Sequence, residues 1–76
     1  MTYYDAKMKI PPHSIFRHFK GNVYEVLMIA KDTDTEEPIV IYQDVQKRGI
    51  IWARPASMWF DEVLEGVKRF ERVNDA

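Results

Sequence analysis

Turn-forming residues punctuate this chain at intervals too short for the crossover helices that a parallel sheet requires. Pro11-Pro12, Gly21-Asn22, the run from Asp32 to Pro38 and Glu65-Gly66 cut it into short segments, most of them rich in β-branched and aromatic side chains. Strands joined this way pair antiparallel, and curling the sheet on itself limits the edges it exposes. The expected fold is therefore mainly β: a small SH3-like half-open antiparallel barrel of about five strands.

The 76 residues limit the chain to one such unit. A domain this short buries only roughly 60–65% of its unfolded surface and has no apolar material for a second core. Ten aromatic residues and a hydrophobic share of 46% argue for an aromatic-rich core that closes without a partner. Both a monomer and a homodimer are compatible with the small stability expected at this size.

Residues 1–12 mix tyrosines with charges and end in two prolines, which reads as a partly flexible segment; residues 13–73 form the single β-barrel domain and 74–76 a frayed tail. Ser14–Lys20 is a strand that turns at Gly21-Asn22 into Val23–Lys31, an almost continuously apolar run that suits a strand buried on both faces. The acidic stretch 32–38 is a surface loop. Ile39–Gln43 and Gly49–Ala53 are strands, with Lys47 and Arg48 at the tip of the loop between them. Residues 55–58 make one helical turn. Trp59–Leu64 and Val67–Val73 read as a terminal hairpin, and a helix carrying Val63, Leu64, Val67 and Phe70 on one face is the competing reading of the same letters.

The chain has no cysteine, which excludes disulfides, thiolate metal sites and a cysteine nucleophile. Eleven basic against twelve acidic residues give a net charge of −1, unlike the basic balance of most phosphate-backbone binders. The first residues lack a signal-peptide pattern and no run nears the roughly 20 apolar residues of a membrane span, so a cytoplasmic, non-membrane protein is expected.

Four aromatic residues, Tyr24, Tyr42, Trp52 and Trp59, with Arg54 beside Trp52, suit a groove for proline-rich peptides, methylated cations or splayed bases. Tryptophan and tyrosine also fill cores, and Trp52, mid-strand beside Ile50 and Ile51, is the one most expected inside. Arg54 precedes Pro55, which extends its backbone and fixes its direction; a bond to Glu25 or to backbone carbonyls competes with a ligand contact. Arg17, His18 and Lys20 form the densest basic cluster, and strand alternation puts His18 with Phe16 and Lys20 on one face and Arg17 on the other. His13 and His18, facing opposite ways with no cysteine nearby, do not make a metal site. Neither Ser14 nor Ser57 follows a glycine elbow, no phosphate-cradling loop occurs, and the pairs Glu36-Glu37 and Asp61-Glu62 are read as solvated. No cofactor is expected.

At FRHFKGNVYEV (16–26) and WARPASMWFDEV (52–63) the chain resembles a small bacterial family catalogued as a domain of unknown function, number sixteen-fifty-three. The resemblance runs from Ile15 to Arg72 through Phe16–Gly21, Tyr24–Val26, Tyr42, Trp52-Arg54-Pro55, Met58, Phe60 and Arg69-Phe70. Between Tyr42 and Gly49, where the family tends to carry a further aromatic, this chain has DVQKR. The resemblance implies domain limits and assigns no activity.

These readings converge on a non-catalytic binding module that holds a peptide or small ligand through Arg17, His18, Tyr24, Tyr42, Trp52, Arg54 and Trp59. Two alternatives stand beside it: nucleic-acid binding through Arg17, Lys20, Lys47 and Arg48, and a small enzyme subunit with His18 as general base.

Overall fold

The structure is a computed structural model that describes residues 1–74. In chain order it contains helix α1 (Tyr3–Lys9), strands β1 (Ile15–His18), β2 (Val23–Lys31), β3 (Pro38–Asp44) and β4 (Lys47–Pro55), a 3-10 turn (Ala56–Met58), and strands β5 (Glu62–Leu64), β6 (Val67–Lys68) and β7 (Phe70–Arg72). One five-stranded antiparallel sheet runs in the order β4-β3-β2-β1-β7, and β5 and β6 form a separate two-stranded sheet. The large sheet is not a closed barrel: β4 and β7 are its two free edges.

Local chemistry accounts for the first hairpin. Gly21 takes φ +108°, a value side-chain-bearing residues rarely adopt, and its N–H donates to His18 O at 2.7 Å to close the turn. In β2 the register shifts between Val26 and Met28, a bulge that leaves Leu27 unpaired and moves the following residues to the opposite faces. That bulge is why the segment reads as a continuous apolar run. The strand is not buried on both faces, since Met28 is 54% exposed.

The β3–β4 connection is tighter than the sequence suggests. Asp44 Oδ1 accepts from Gln46 N at 2.7 Å, so only residues 45–46 separate the strands, and Lys47 and Arg48 lie within β4 instead of at a loop tip. The acidic loop organises itself in the same way: Asp32 Oδ1 accepts from Asp34 N and Thr35 N at 2.9 and 3.1 Å.

The first residues are not a loose segment. Thr2 and Asp5 form a reciprocal capping box at the start of α1, and Ala6 and Ile10 are fully buried against the core. The expected terminal hairpin exists only as β5–β6, where Gly66 turns with φ +77°; beyond Arg69 the chain leaves it to pair as β7 with β1. Asn74 is tied in place, its Oδ1 accepting from Ile15 N at 2.8 Å, and the rest of the expected frayed tail, residues 75 and 76, lies outside the described residues.

The core joins Phe16, Val26, Ile29, Val40, Tyr42, Trp59 and Phe70 from the sheet side with Ala6, Ile10 and Ala56 from the helical pieces. At its centre the rings of Trp59 and Phe70 stack in parallel, 3.9 Å apart, with Phe16 and Tyr42 meeting Trp59 edge-on at 5.3 and 4.9 Å. No helix among the described residues is long and apolar enough to cross a membrane.

Candidate binding surface

Alternation along β3 turns Val40, Tyr42 and Asp44 to the core face, and pairing carries that face onto β4, with Trp52 opposite Tyr42 and Arg54 opposite Val40. At the sheet's limit no further strand covers them. Trp52 is therefore 49% exposed and Arg54 half-buried. Ile51 and Ala53 point to the opposite face, opposite Gln43 and Ile41.

The two tryptophans exchange the roles expected of them. Trp52, expected in the core, stands on an edge strand. Trp59 follows the 3-10 turn, which folds the chain back over the core face, and it is fully buried. It presents no surface to solvent, and its Nε1 has no hydrogen-bond partner among the described residues.

Phe70, which the sequence marked in the terminal segment and the family pattern but not among the site residues, is the hub of the cluster. His18, Tyr24 and Tyr42 contact its ring at 4.9, 5.9 and 5.9 Å, Trp59 stacks on it, and the Arg54 guanidinium lies 5.8 Å from its centroid. Tyr24 and Tyr42 also meet edge-on at 5.2 Å. The structure thus gathers His18, Tyr24, Tyr42, Arg54 and Trp59 into one group, with Trp52 adjoining through Tyr42. Arg17 stands apart, exposed and cross-strand from Glu71. The only local signal for Phe70 is a lone aromatic after Arg69, and its importance comes from a pairing with β1 more than 50 positions earlier in the chain.

Arg54 makes one hydrogen bond, Nε donating to Tyr42 Oη at 3.4 Å, and it has no carboxylate partner among the described residues. Glu25, its competing partner on sequence grounds, is taken by Arg48 and by His13. Arg69, by contrast, is clamped by Asp61 through Nε–Oδ1 at 2.9 Å and Nη2–Oδ2 at 3.1 Å, a bidentate pair. Its bonds to Arg69 hold the Asp61 carboxyl below the usual range despite the opposing effect of burial. Burial, followed by the charges of Arg54, Arg69 and Lys20, lowers the His18 pKa from 6.5. His18 Nδ1 accepts from Lys20 N at 3.2 Å, which fits a neutral ring protonated on Nε2. Burial pushes Tyr24 upward, helped by Asp44 and Tyr42. The result is an aromatic floor carrying one guanidinium, Arg54, that is held by Tyr42 and Phe70 and has no salt bridge among the described residues.

The remaining cations do not form a second patch. Two strands separate β1 from β4, roughly 14 Å of sheet, between Arg17 on one and Lys47 and Arg48 on the other. Arg48 is neutralised by Glu25, and the Lys20 ammonium lies over the Phe19 ring at 5.8 Å. A surface depression lined by Met8, Lys9, Phe60, Lys68 and Arg72 touches the aromatic core only through Phe16 and includes neither Trp52 nor Arg54.

Fold and surface together define a small β domain built on an open antiparallel sheet, with an aromatic and arginine cluster across its core face from β4 to β7. The chain belongs to the family described as Protein of unknown function (DUF1653), whose profile matches residues 14–72, from the start of β1 to the end of β7. Neither curated proteins nor solved structures give a match.

Proposed function

We propose that this chain is a non-catalytic binding module that holds a peptide segment on the surface formed by Trp52 and Arg54, backed by the buried Tyr42 and by Tyr24, His18 and Phe70. The supporting observation is Arg54. A half-buried guanidinium that loses water without gaining a carboxylate is a cost to folding, which an incoming anionic group offsets. Trp52 beside it supplies an exposed, rigid ring of the kind enriched at binding hot spots. Among the described residues no carboxylate bonds His18 to orient it, which weighs against general-base chemistry.

The test is a two-dimensional amide spectrum of labelled protein, recorded with a peptide pool and separately with a short mixed oligonucleotide. The proposal expects peptide-dependent shifts at Trp52, Arg54 and Tyr42. Shifts confined to Arg17, Lys20, Lys47 and Arg48 that appear with oligonucleotide and vanish in salt would overturn it.

A further inference from the structure

We infer that the ligand is an extended peptide with acidic ends and an apolar middle, added to β4 as a sixth strand of the sheet. This rests on the binding-module reading above and specifies its partner and geometry.

The backbone comes first. β4 lies at the sheet edge; residues 51–55 pair in register with β3, residues 48–50 bulge out of that register before Lys47, and no described element pairs with the strand's outer side, so along residues 51–55 alternate N–H and C=O groups project outward unpaired. Such an edge is the template used in strand addition, where main-chain bonds supply affinity and alternate side chains supply selectivity. The middle of the strand, Gly49–Ala53, carries no charge, and Ile50, Ile51 and Trp52 are each about half exposed (50%, 54% and 49%).

Charge then selects the occupant. Lys47 and Arg48 precede the apolar run and Arg54 follows it; Glu25 holds Arg48, whereas Lys47 and Arg54 make no ion pair among the described residues. Arg54 pairs across to Val40 and Lys47 to Asp44, with the bulge of residues 48–50 between them, so one cation stands toward each end of an added strand. The residue facing Arg54 is acidic, the one two positions along packs on Trp52, and the residues between them and next beyond meet Ala53 and Ile51 on the other face. A second copy of this chain fits less well. Superposing the two apolar runs antiparallel about Ile51 sets Arg54 of one copy against Arg48 of the other. The three exposed apolar side chains also offer only roughly 300 Å² per copy, against about 800 Å² per partner in a standard interface.

The experiment titrates labelled protein with the blocked octapeptide Glu-Thr-Val-Thr-Ile-Thr-Val-Glu and with the same peptide carrying Lys at both ends, following amide shifts and hydrogen exchange; sedimentation of the free protein runs in parallel. The expected result is saturable binding of the acidic peptide, slowed exchange at alternate β4 amides, no binding of the basic peptide, and affinity about tenfold weaker in R54Q. I51K, at an exposed site, keeps a native spectrum and loses binding. Equal binding of both peptides would overturn the charge requirement. Shifts at Trp52 and Arg54 without slowed β4 exchange would overturn strand addition and leave the binding module standing. A dimer paired through β4 would make a second copy the occupant, and absence of any β4 response would overturn both readings.

Discussion

β4 and β7 end the same sheet, and the sequence treats the two edges in opposite ways. β7 is three residues long, starts at the buried Phe70 and continues into the charged pair Glu71-Arg72, while Arg69 just before it is clamped to Asp61. Short length and charge are the usual means of protecting an edge from stray pairing. β4 is nine residues long with a charge-free middle of strand-forming side chains, and its one unpaired arginine sits at the end of that stretch. The difference teaches that the aromatic cluster has two parts with different exposure. Its β7 side, Phe70 with Trp59, closes the core; its β4 side, Trp52 with Arg54, is left open.

Four outcomes would break or sharpen this contrast. The largest is F70A, which removes the ring stacked on Trp59 and should cost about 3–5 kcal/mol, close to the whole stability of so small a domain. A two-state urea titration checks it, and a loss under about 1 kcal/mol would mean that β7 is not the structural edge.

Acid comes next. Asp61 is held below 3.8 by Arg69, so its contribution to stability is complete above about pH 4 and is lost as pH falls through its lower folded value. Glu25 at the β4 end, held below 4.5 chiefly by Arg48 and then by His13, acts in the same direction. The urea midpoint should therefore fall below about pH 4. R69Q should flatten the Asp61 part of that fall, and a midpoint equally steep in R69Q would remove the clamp from the account.

His18 lies between the edges, in contact with Phe70, and titrates at a different pH. Its folded pKa is below 6.5, so protonation favours the unfolded chain: its contribution is complete above pH 6.5 and shrinks as pH drops below that value. Midpoints measured from pH 7.5 to pH 5 should decline modestly in the wild-type protein and stay level in H18Q, and an unchanged slope in H18Q would show that another group titrates there.

The smallest effect belongs to the open edge. W52A removes a ring that is half in solvent and should change stability by under about 1 kcal/mol, while peptide binding falls sharply. A W52A loss as large as that of F70A would erase the distinction between the edges.

The sequence showed the local features of the fold well. Gly21-Asn22 announces the first hairpin, Asp32 with its following threonine and acids announces the loop, and Pro55 marks the helical turn. What it hid depends on contacts distant in the chain or on one-residue shifts. The bulge at Leu27 turns alternation into an apparent apolar run. The Asp44–Gln46 bond tightens a turn that composition alone makes longer, which moves Lys47 and Arg48 into the edge strand. The capping box at Thr2 and Asp5 is readable, but the burial of Ala6 and Ile10 that makes α1 part of the domain is not. At the site, strand alternation gave His18 and Arg17 their opposite faces. It could not decide between Trp52 and Trp59, because that depends on which strand lies at the edge and on where the 3-10 turn folds the chain, and Phe70 entered only through the β1–β7 pairing.

The account turns on whether the outer side of β4 is a docking edge, and residue-resolved hydrogen exchange tests this most directly. In the free protein, β4 amides directed at β3 should exchange slowly and those directed outward quickly, with the alternation sharpest across residues 51–54, which pair in register with β3. Adding the acid-ended octapeptide should slow the outward set while leaving β7 unchanged. Equal protection of both β4 sets before any peptide is added would contradict the account, since it would mean that the edge is already covered.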